Sequence, residues 1–266
     1  MICDAHAHYG DRRLMEKVTA ESALRDKFPC YKTIQFEHMD DCDDYMRAQG
    51  DEKIAYIPFV FRELSKPEEN RKMLEYAESR AFVYPYVLLD EDDVTFVREN
   101  YKKIVGVKEH IVMHETALSD RRVEVFGDVN RYNLNILLHT KFAVRVDYIK
   151  SILELFPHVK IHVAHLGRST PDNLQFIYDI LAALKAYENV FFDTSTIRQT
   201  EALEQAVGIV GRERILYGSD FPFFIGDGSE NIVKTQIDHV LNAKITGLDR
   251  EYIFQKNFER LIKKGE

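Results

Sequence analysis

The sequence predicts an α/β fold, a single (β/α)8 barrel, on three observations. Short, continuously apolar runs recur along the 266 residues. Longer amphipathic stretches alternate with them. Histidines or aspartates stand at the C-terminal ends of several of the runs.

The runs are 1–6, 53–60, 82–89, 104–112, 135–139, 159–165, 189–193 and 214–218, rich in Val, Ile, Leu, Phe and Tyr. Most are strand-sized. Near-continuous apolar runs belong to strands covered on both faces, as in a parallel sheet wrapped by helices. Eight such strands in a chain near 250 residues match the arithmetic of a closed barrel. A doubly wound open sheet is the alternative, but no GxGxxG or GxxxxGK[ST] follows any strand.

The helices follow in order. The first good helix is 39–49, whose acidic run 40–44, with Cys42 inside it, suits a helix N-terminus. Residues 67–79 open with Pro and two Glu. Val146, Ile149, Ile152, Leu153 and Phe156 recur at helical spacing in 144–156, which stops before Pro157. Thr170 and Pro171 make a cap-plus-first-turn signature for 171–187. Residues 200–210, 230–241 and 249–262 read as helices too. Residues 9–37 do not fit the repeat: they are long for a βα loop and read as a lid-like insertion after strand one, on the face where barrel active sites are built. No linker or low-complexity tract divides the chain, so 1–266 is expected to form one domain.

Composition narrows the function classes. Asp plus Glu number 44 against 36 for Lys plus Arg, a formal charge of −8. Nucleic acid is therefore a poor partner, while a small-molecule substrate fits. No apolar run approaches the ~18–20 residues of a membrane span. Three cysteines without a CxxC pair fit a reducing compartment, and the N-terminus lacks the features of a signal peptide, so a cytoplasmic setting is expected.

The strongest local signal is Asp4-Ala-His6-Ala-His8. Alternation on a strand would point residues 4, 6 and 8 to one side, and two such imidazoles can hold one divalent ion. The plainer reading is two surface histidines near a frayed end, against which the buried-strand pattern argues. His139, His165 and Asp220 end later strands. Each alone is more often structural than a ligand, but a barrel would converge them. Imidazole and carboxylate donors suit Zn²⁺, and Mn²⁺ as well.

DAHAH, then LLHT, AHLG and LYGSDFPF, in that order, resembles the metal-dependent amidohydrolase superfamily of TIM-barrel fold. The closest likeness is to its amidohydrolase-2 branch, which also contains the decarboxylase acting on 2-amino-3-carboxymuconate semialdehyde. Gly106-Val-Lys108-Glu-His110 is similar to the branch's fourth-strand pattern, and Tyr252 to Leu261 to its final ΦxxxNxxRL helix. The resemblance implies that His6, His8 and His139 bind a metal, and that Asp220 touches the metal or its water and acts as general base. It implies that His165 polarises substrate, shuttles a proton or binds a second metal. The activity so implied is hydrolysis of a small amide, ester or lactone by metal-activated water. A non-oxidative decarboxylase of a small carboxylated aromatic or muconate-like acid is the alternative, and a non-catalytic ligand-binding barrel a third. Because the branch is often dimeric, the resemblance allows a homodimer.

Lys108 and His110 share one face of strand four and Glu109 the other, so register decides which enters the barrel. Lys108 is expected inside, binding substrate charge, with carbamylation to bridge two metals as the lesser alternative. His110 and His114 are candidate substrate contacts, and Arg168 could clamp a substrate carboxylate. His162, three residues before His165, is expected on the opposite face against a helix. His38, His158 and His239 are expected in loops or on helices. Asp193 and Thr194 either orient a histidine or cap a turn.

Overall fold

The computed structural model describes residues 1–110, 118–139, 146–168, 173–224 and 231–264. Eight strands alternate with helices: β1 Ile2–Tyr9, β2 Asp51–Pro58, β3 Tyr86–Leu88, β4 Gly106–His110, β5 Asn135–His139, β6 Lys160–Val163, β7 Val190–Asp193 and β8 Ile215–Leu216. All ladders are parallel, β1 with β2 and β3 through β8 in sequence order. Backbone bonds join the two sheets at both seams. Ala5 N–H donates to Tyr217 O at 2.9 Å and Asp220 N–H to His6 O at 2.7 Å; Ile54 N–H donates to Phe82 O at 2.9 Å and Tyr84 N–H to Ile54 O at 2.8 Å. A sheet joined to itself leaves no open edge, so the eight strands form the expected barrel.

Side chains alternate between the two faces of this wall. Cys3, Ala5, Ala55, Ile57, Leu137, Phe191 and Leu216 fill the inside. Ile54, Tyr56, Val107, Ile136, Leu138, Phe192 and Ile215 pack outward against the helices. Both layers are buried, which is why the strands read as unbroken apolar runs.

The helices are α1 Arg12–Glu21, α2 Cys42–Gln49, α3 Lys66–Ala77, α4 Phe96–Asn100, α5 Asp120–Arg131, α6 Val146–Leu155, α7 Leu174–Leu184, α8 Thr200–Val210, α9 Ile232–Asn242, α10 Gly247–Glu251 and α11 Asn257–Ile262. The acidic run does begin α2, with Asp43 and Asp44 in its first turn. The Thr170–Pro171 signature lies outside the described residues, and the cap seen for α7 is Asn173, which accepts from Phe176 N–H at 3.0 Å. The final helix expected over 249–262 is interrupted by a π-helical turn at Tyr252–Lys256. There Ile253 O accepts the Tyr217 N–H that β8 leaves over, at 2.9 Å. Asn257 donates to Arg212 O and Ile215 O at 2.6 and 2.7 Å, and Arg260 to Glu213 O at 2.7 Å. The ΦxxxNxxRL motif is thus a clasp on the entry to β8.

Residues 9–37 are less loop-like than expected. Asp11 accepts the Leu14 N–H at 2.7 Å and starts α1. Met15, Phe28, Tyr31 and Ile34 then join Phe59, Phe61 and Phe223 in one aromatic-rich cluster. Gln35 N–H donates to Pro222 O and Phe224 N–H to Thr33 O, both at 2.8 Å. The segment is therefore tied to the turn that follows β8.

Candidate metal centre

β1 departs from regular alternation. Asp4 pairs with Ile54 and Ala7 with Tyr56, so Ala5 and His6 together stand opposite Ala55. This bulge inserts one residue. Asp4 therefore shares the helix-facing side with Ile54 and Ala7, correcting the expectation that residues 4, 6 and 8 point together. His6 and His8 do face the barrel interior. Asp4 braces them from behind: its Oδ1 accepts the His6 and Ser219 N–H groups at 2.9 and 3.1 Å. β8 must come close beneath, and Gly218 allows it, since a Cβ there would lie 2.9 Å from His6 Cβ. The chain then turns so that Asp220, at φ 62°, enters the mouth. Asp220 Oδ1 stands 3.3 Å from both His6 Nε2 and His8 Nε2.

β4 has the register that places Lys108 inside. Its side chain is 2% exposed, and Nζ lies 3.3 Å from His6 Nε2. Glu109 faces the helices, where Arg122 Nη1 and Tyr148 OH donate to Oε1 at 2.7 and 2.6 Å. His110 stacks on His139 with ring centroids 4.1 Å apart. His114 lies outside the described residues.

β6 ends at Val163, and Ala164–Gly167 makes a tight turn with His165 at φ 58° and Leu166 at φ 50°. Left-handed backbone at non-glycine residues costs about 1–2 kcal/mol each; among the described residues Thr196 and Asp220, also at the site, and Asn133, away from it, share it. Strain of this kind concentrates at functional sites. The turn swings His165 back toward the barrel axis, where its Nε2 lies 3.0 Å from His139 Nδ1. His162 also faces inward, pairing with inward Leu137 and lying 2.8 Å through Nε2 from Asp193 Oδ2. The expectation that it packs on a helix fails because the turn falls between the two histidines.

Asp193, the last residue of β7, is the residue sequence reasoning undervalued. It orients histidines and caps a turn at once. Oδ2 lies 2.8 Å from His6 Nδ1, and Oδ1 accepts the His165 and Ser195 N–H groups at 2.9 and 3.0 Å. Its position at a strand end, the same as that of His139 and near that of Asp220, was the available signal. Arg168 Nη1 donates to Thr196 O at 3.5 Å. His239 is on α9 and His38 stacks on Tyr45 at 4.0 Å, both away from this cluster.

Electrostatics follow burial. Desolvation drives His6 and His139 well below the usual histidine range and His165 down to about 3. Desolvation lowers Lys108 to about 7, against the pull of Asp220 and Asp193. Burial opposes the charge on Asp193 too, but His6 and the hydrogen bond from His162 outweigh it and hold the carboxyl well below its usual range. The imidazoles are therefore neutral around an ionised Asp193.

That composition fits a cation. The donor atoms of His6, His165 and Asp220 all lie within 4.8 Å of one another. His8 joins this group through Asp220, and His139 through His165. Two imidazole nitrogens 3.3 Å from one carboxylate oxygen are acceptors crowded together unless a proton or cation lies among them. Nitrogen and carboxylate donors of this kind suit Zn²⁺ or Mn²⁺.

Comparison with known proteins agrees with the barrel fold. The amidohydrolase family model Amidohydro_2 matches residues 3–263. No curated protein matches the chain significantly. Among solved structures, a Pseudomonas putida protein assigned as a 2-pyrone-4,6-dicarboxylic acid hydrolase superposes with TM-score 0.74 at 14% identity, covering 98% of this chain and 97% of that one. The 2,6-dihydroxybenzoate decarboxylase from Rhizobium gives 0.69 at 15%, covering 98% and 99%. The 5-carboxyvanillate decarboxylase from Novosphingobium aromaticivorans, complexed with manganese, gives 0.72 at 12%, covering 98% and 96%. At these identities the likeness establishes the fold. No helix among the described residues is long and apolar enough to cross a membrane.

Proposed function

The chain belongs to the amidohydrolase family, and from that premise we propose that it is a metal-dependent hydrolase of a small amide, ester or lactone. The observation that carries the reading is Asp220 Oδ1, 3.3 Å from the Nε2 atoms of both His6 and His8, with Lys108 and the His139–His165 pair beside it. His6, His8, His139 and Asp220 would hold a divalent ion, with Zn²⁺ as the default and Mn²⁺ as the alternative. When bound, such an ion supplies Lewis acidity toward a substrate oxygen and acidifies a coordinated water.

The chain's own groups do the rest. Asp220 accepts the proton of the attacking water. Lys108, inside the barrel beside His6, offers its Nζ to the oxygen that gains charge. The proton taken up by Asp220 then passes to the leaving group, with His165, whose Nε2 lies 3.0 Å from His139 Nδ1, as the proposed shuttle. His110 and Arg168 are the proposed substrate contacts, Arg168 for a carboxylate.

A second reading is favoured by the solved relatives, two of which are decarboxylases of carboxylated phenols and one of which holds manganese. The same donors would serve non-oxidative decarboxylation, with protonation of carbon replacing attack by water. Two measurements test the proposal. Metal content of the purified protein should fall to background in the His6→Ala, His139→Ala double variant; stoichiometric metal retained there would overturn the ligand assignment. Lactones should be opened to acid, and carboxylated aromatics should release no CO₂. Release of CO₂ alone would establish the decarboxylase instead.

A further inference from the structure

Asp193 touches five hydrogen-bearing groups and reaches, through them, four histidines. Its Oδ1 accepts from the backbone N–H groups of His165 and Ser195, at 2.9 and 3.0 Å, and from the Ser195 hydroxyl. Its Oδ2 faces His6 Nδ1 and His162 Nε2, each at 2.8 Å. An ionised carboxylate only accepts. Every one of these partners must therefore direct its hydrogen at Asp193.

The protonation pattern of the site follows step by step. His6 carries its hydrogen on Nδ1, so Nε2 is a bare lone pair, and it is this atom that lies 3.3 Å from Asp220 Oδ1 and from Lys108 Nζ. The single Ser195 hydroxyl hydrogen is spent on Asp193. Ser195 Oγ is then an acceptor toward His165 Nδ1 at 2.7 Å, and Ser195 O, at 3.1 Å, can only accept. Thr196 Oγ1, also 3.1 Å from Nδ1, can turn a lone pair to it, so His165, facing two groups that can only accept, carries its hydrogen on Nδ1 and has a bare Nε2. His139 Nδ1 lies 3.0 Å from that lone pair and must be the N–H. A neutral imidazole has one such hydrogen, so His139 Nε2 is bare as well.

We infer that Asp193 is a positioning residue that sets the tautomers of His6 directly and of His139 through Ser195 and His165, so that both present unprotonated Nε2 atoms. A ligand imidazole commonly gives its other N–H to a carboxylate, which fixes ring and tautomer. Here one buried carboxylate serves two strands, β1 and β5, one of them two side chains away. The functional meaning rests on the proposed metal centre; the tautomers themselves do not.

The experiment is nitrogen-15 NMR of histidine-labelled protein without added metal, with the signals of His6, His139 and His165 assigned through single His→Gln variants. The wild type should show hydrogen on Nδ1 and a bare Nε2 for all three. Asp193→Asn should move the His6 hydrogen to Nε2. Ser195→Ala should leave His6 as it was and alter His165 and His139. In parallel, competition with a chromophoric chelator should show Zn²⁺ affinity ~10–100-fold weaker in Asp193→Asn, with a smaller loss in Ser195→Ala. A wild-type His6 protonated on Nε2 overturns the proposal, as does a Ser195→Ala spectrum with His165 and His139 unchanged. Should Asp193→Asn fail to fold, the wild-type and Ser195→Ala spectra still decide. A wild type that binds no Zn²⁺ or Mn²⁺ but shows these tautomers would sink the metal centre and leave the relay standing.

Discussion

β1 and β6 each deliver two histidines to the inside of the barrel, by opposite departures from a regular strand. In β1 the bulge takes in Ala5 and His6, between Asp4 and Ala7, and the strand is regular from there to His8. The spacing of two then keeps His6 and His8 on one side. In β6 the departure lies between His162 and His165, where the chain enters a left-handed turn. A spacing of three, which would separate the pair on a regular strand, brings both inward. The period of two holds only while the strand is continuous. Which face a histidine takes is decided by where the irregularity falls.

The contrast can be broken most sharply at β1. His6→Ala should weaken Zn²⁺ affinity by about 100-fold or more, since even removing a group behind a ligand costs 10–100-fold; equilibrium dialysis with metal analysis measures it. Gly218→Ala presses on the bulge from β8, placing a methyl 2.9 Å from His6 Cβ. Overpacking of that kind costs ~1–3 kcal/mol. Urea denaturation should show that loss together with weakened metal binding, whereas loss of stability alone would mean that the bulge yields without moving His6. At β6, His162→Gln removes one of two imidazoles on Asp193 Oδ2 and should weaken metal binding by about tenfold, the low end for such supporting groups. An unchanged affinity would show that the inward turn of His162 serves packing only.

The smallest effect lies on the outer side of the bulge. Asp51, 1% exposed, has neither carboxylate oxygen partnered among the described residues. Burial, and then the neighbouring Asp4, push its pKa well above the ordinary 3.8. The folded chain therefore holds a proton that the unfolded chain has released, and stability falls as pH rises above 3.8 toward the raised value. Asp51→Asn cannot lose a proton there. Its melting temperature should match wild type near pH 4 and exceed it by a few degrees at pH 8. Parallel curves across that range would contradict this.

How much of this the sequence carried depends on locality. The strands were legible because both faces of the wall are buried, so Asn135–His139 reads as one apolar run. His6, His8, His139, His165 and Asp220 were legible as strand-end residues, and Lys108 as one of two registers. The bulge was not, since Ala5 and Ala7 are identical to the eye and only the pairing with Ala55 distinguishes them. α1 was missed because it shows few apolar residues and starts from an ordinary Asp. Asp193 looked like a turn residue, and it is one. Its bond to His6 spans 187 positions, a distance no local pattern encodes.

The seam between β1 and β8 carries a consequence for assembly. Asp4 and Ser219, which meet there, are 215 positions apart. As the chain emerges from the ribosome, β1 can pair with β2 at once, yet its other flank must wait until β8 has been made. Pairings this remote form late. Of the proposed metal ligands, His6 and His8 near one end of the chain and Asp220 near the other thus come together only at ring closure. Metal uptake during refolding would register that final event rather than the collapse that precedes it.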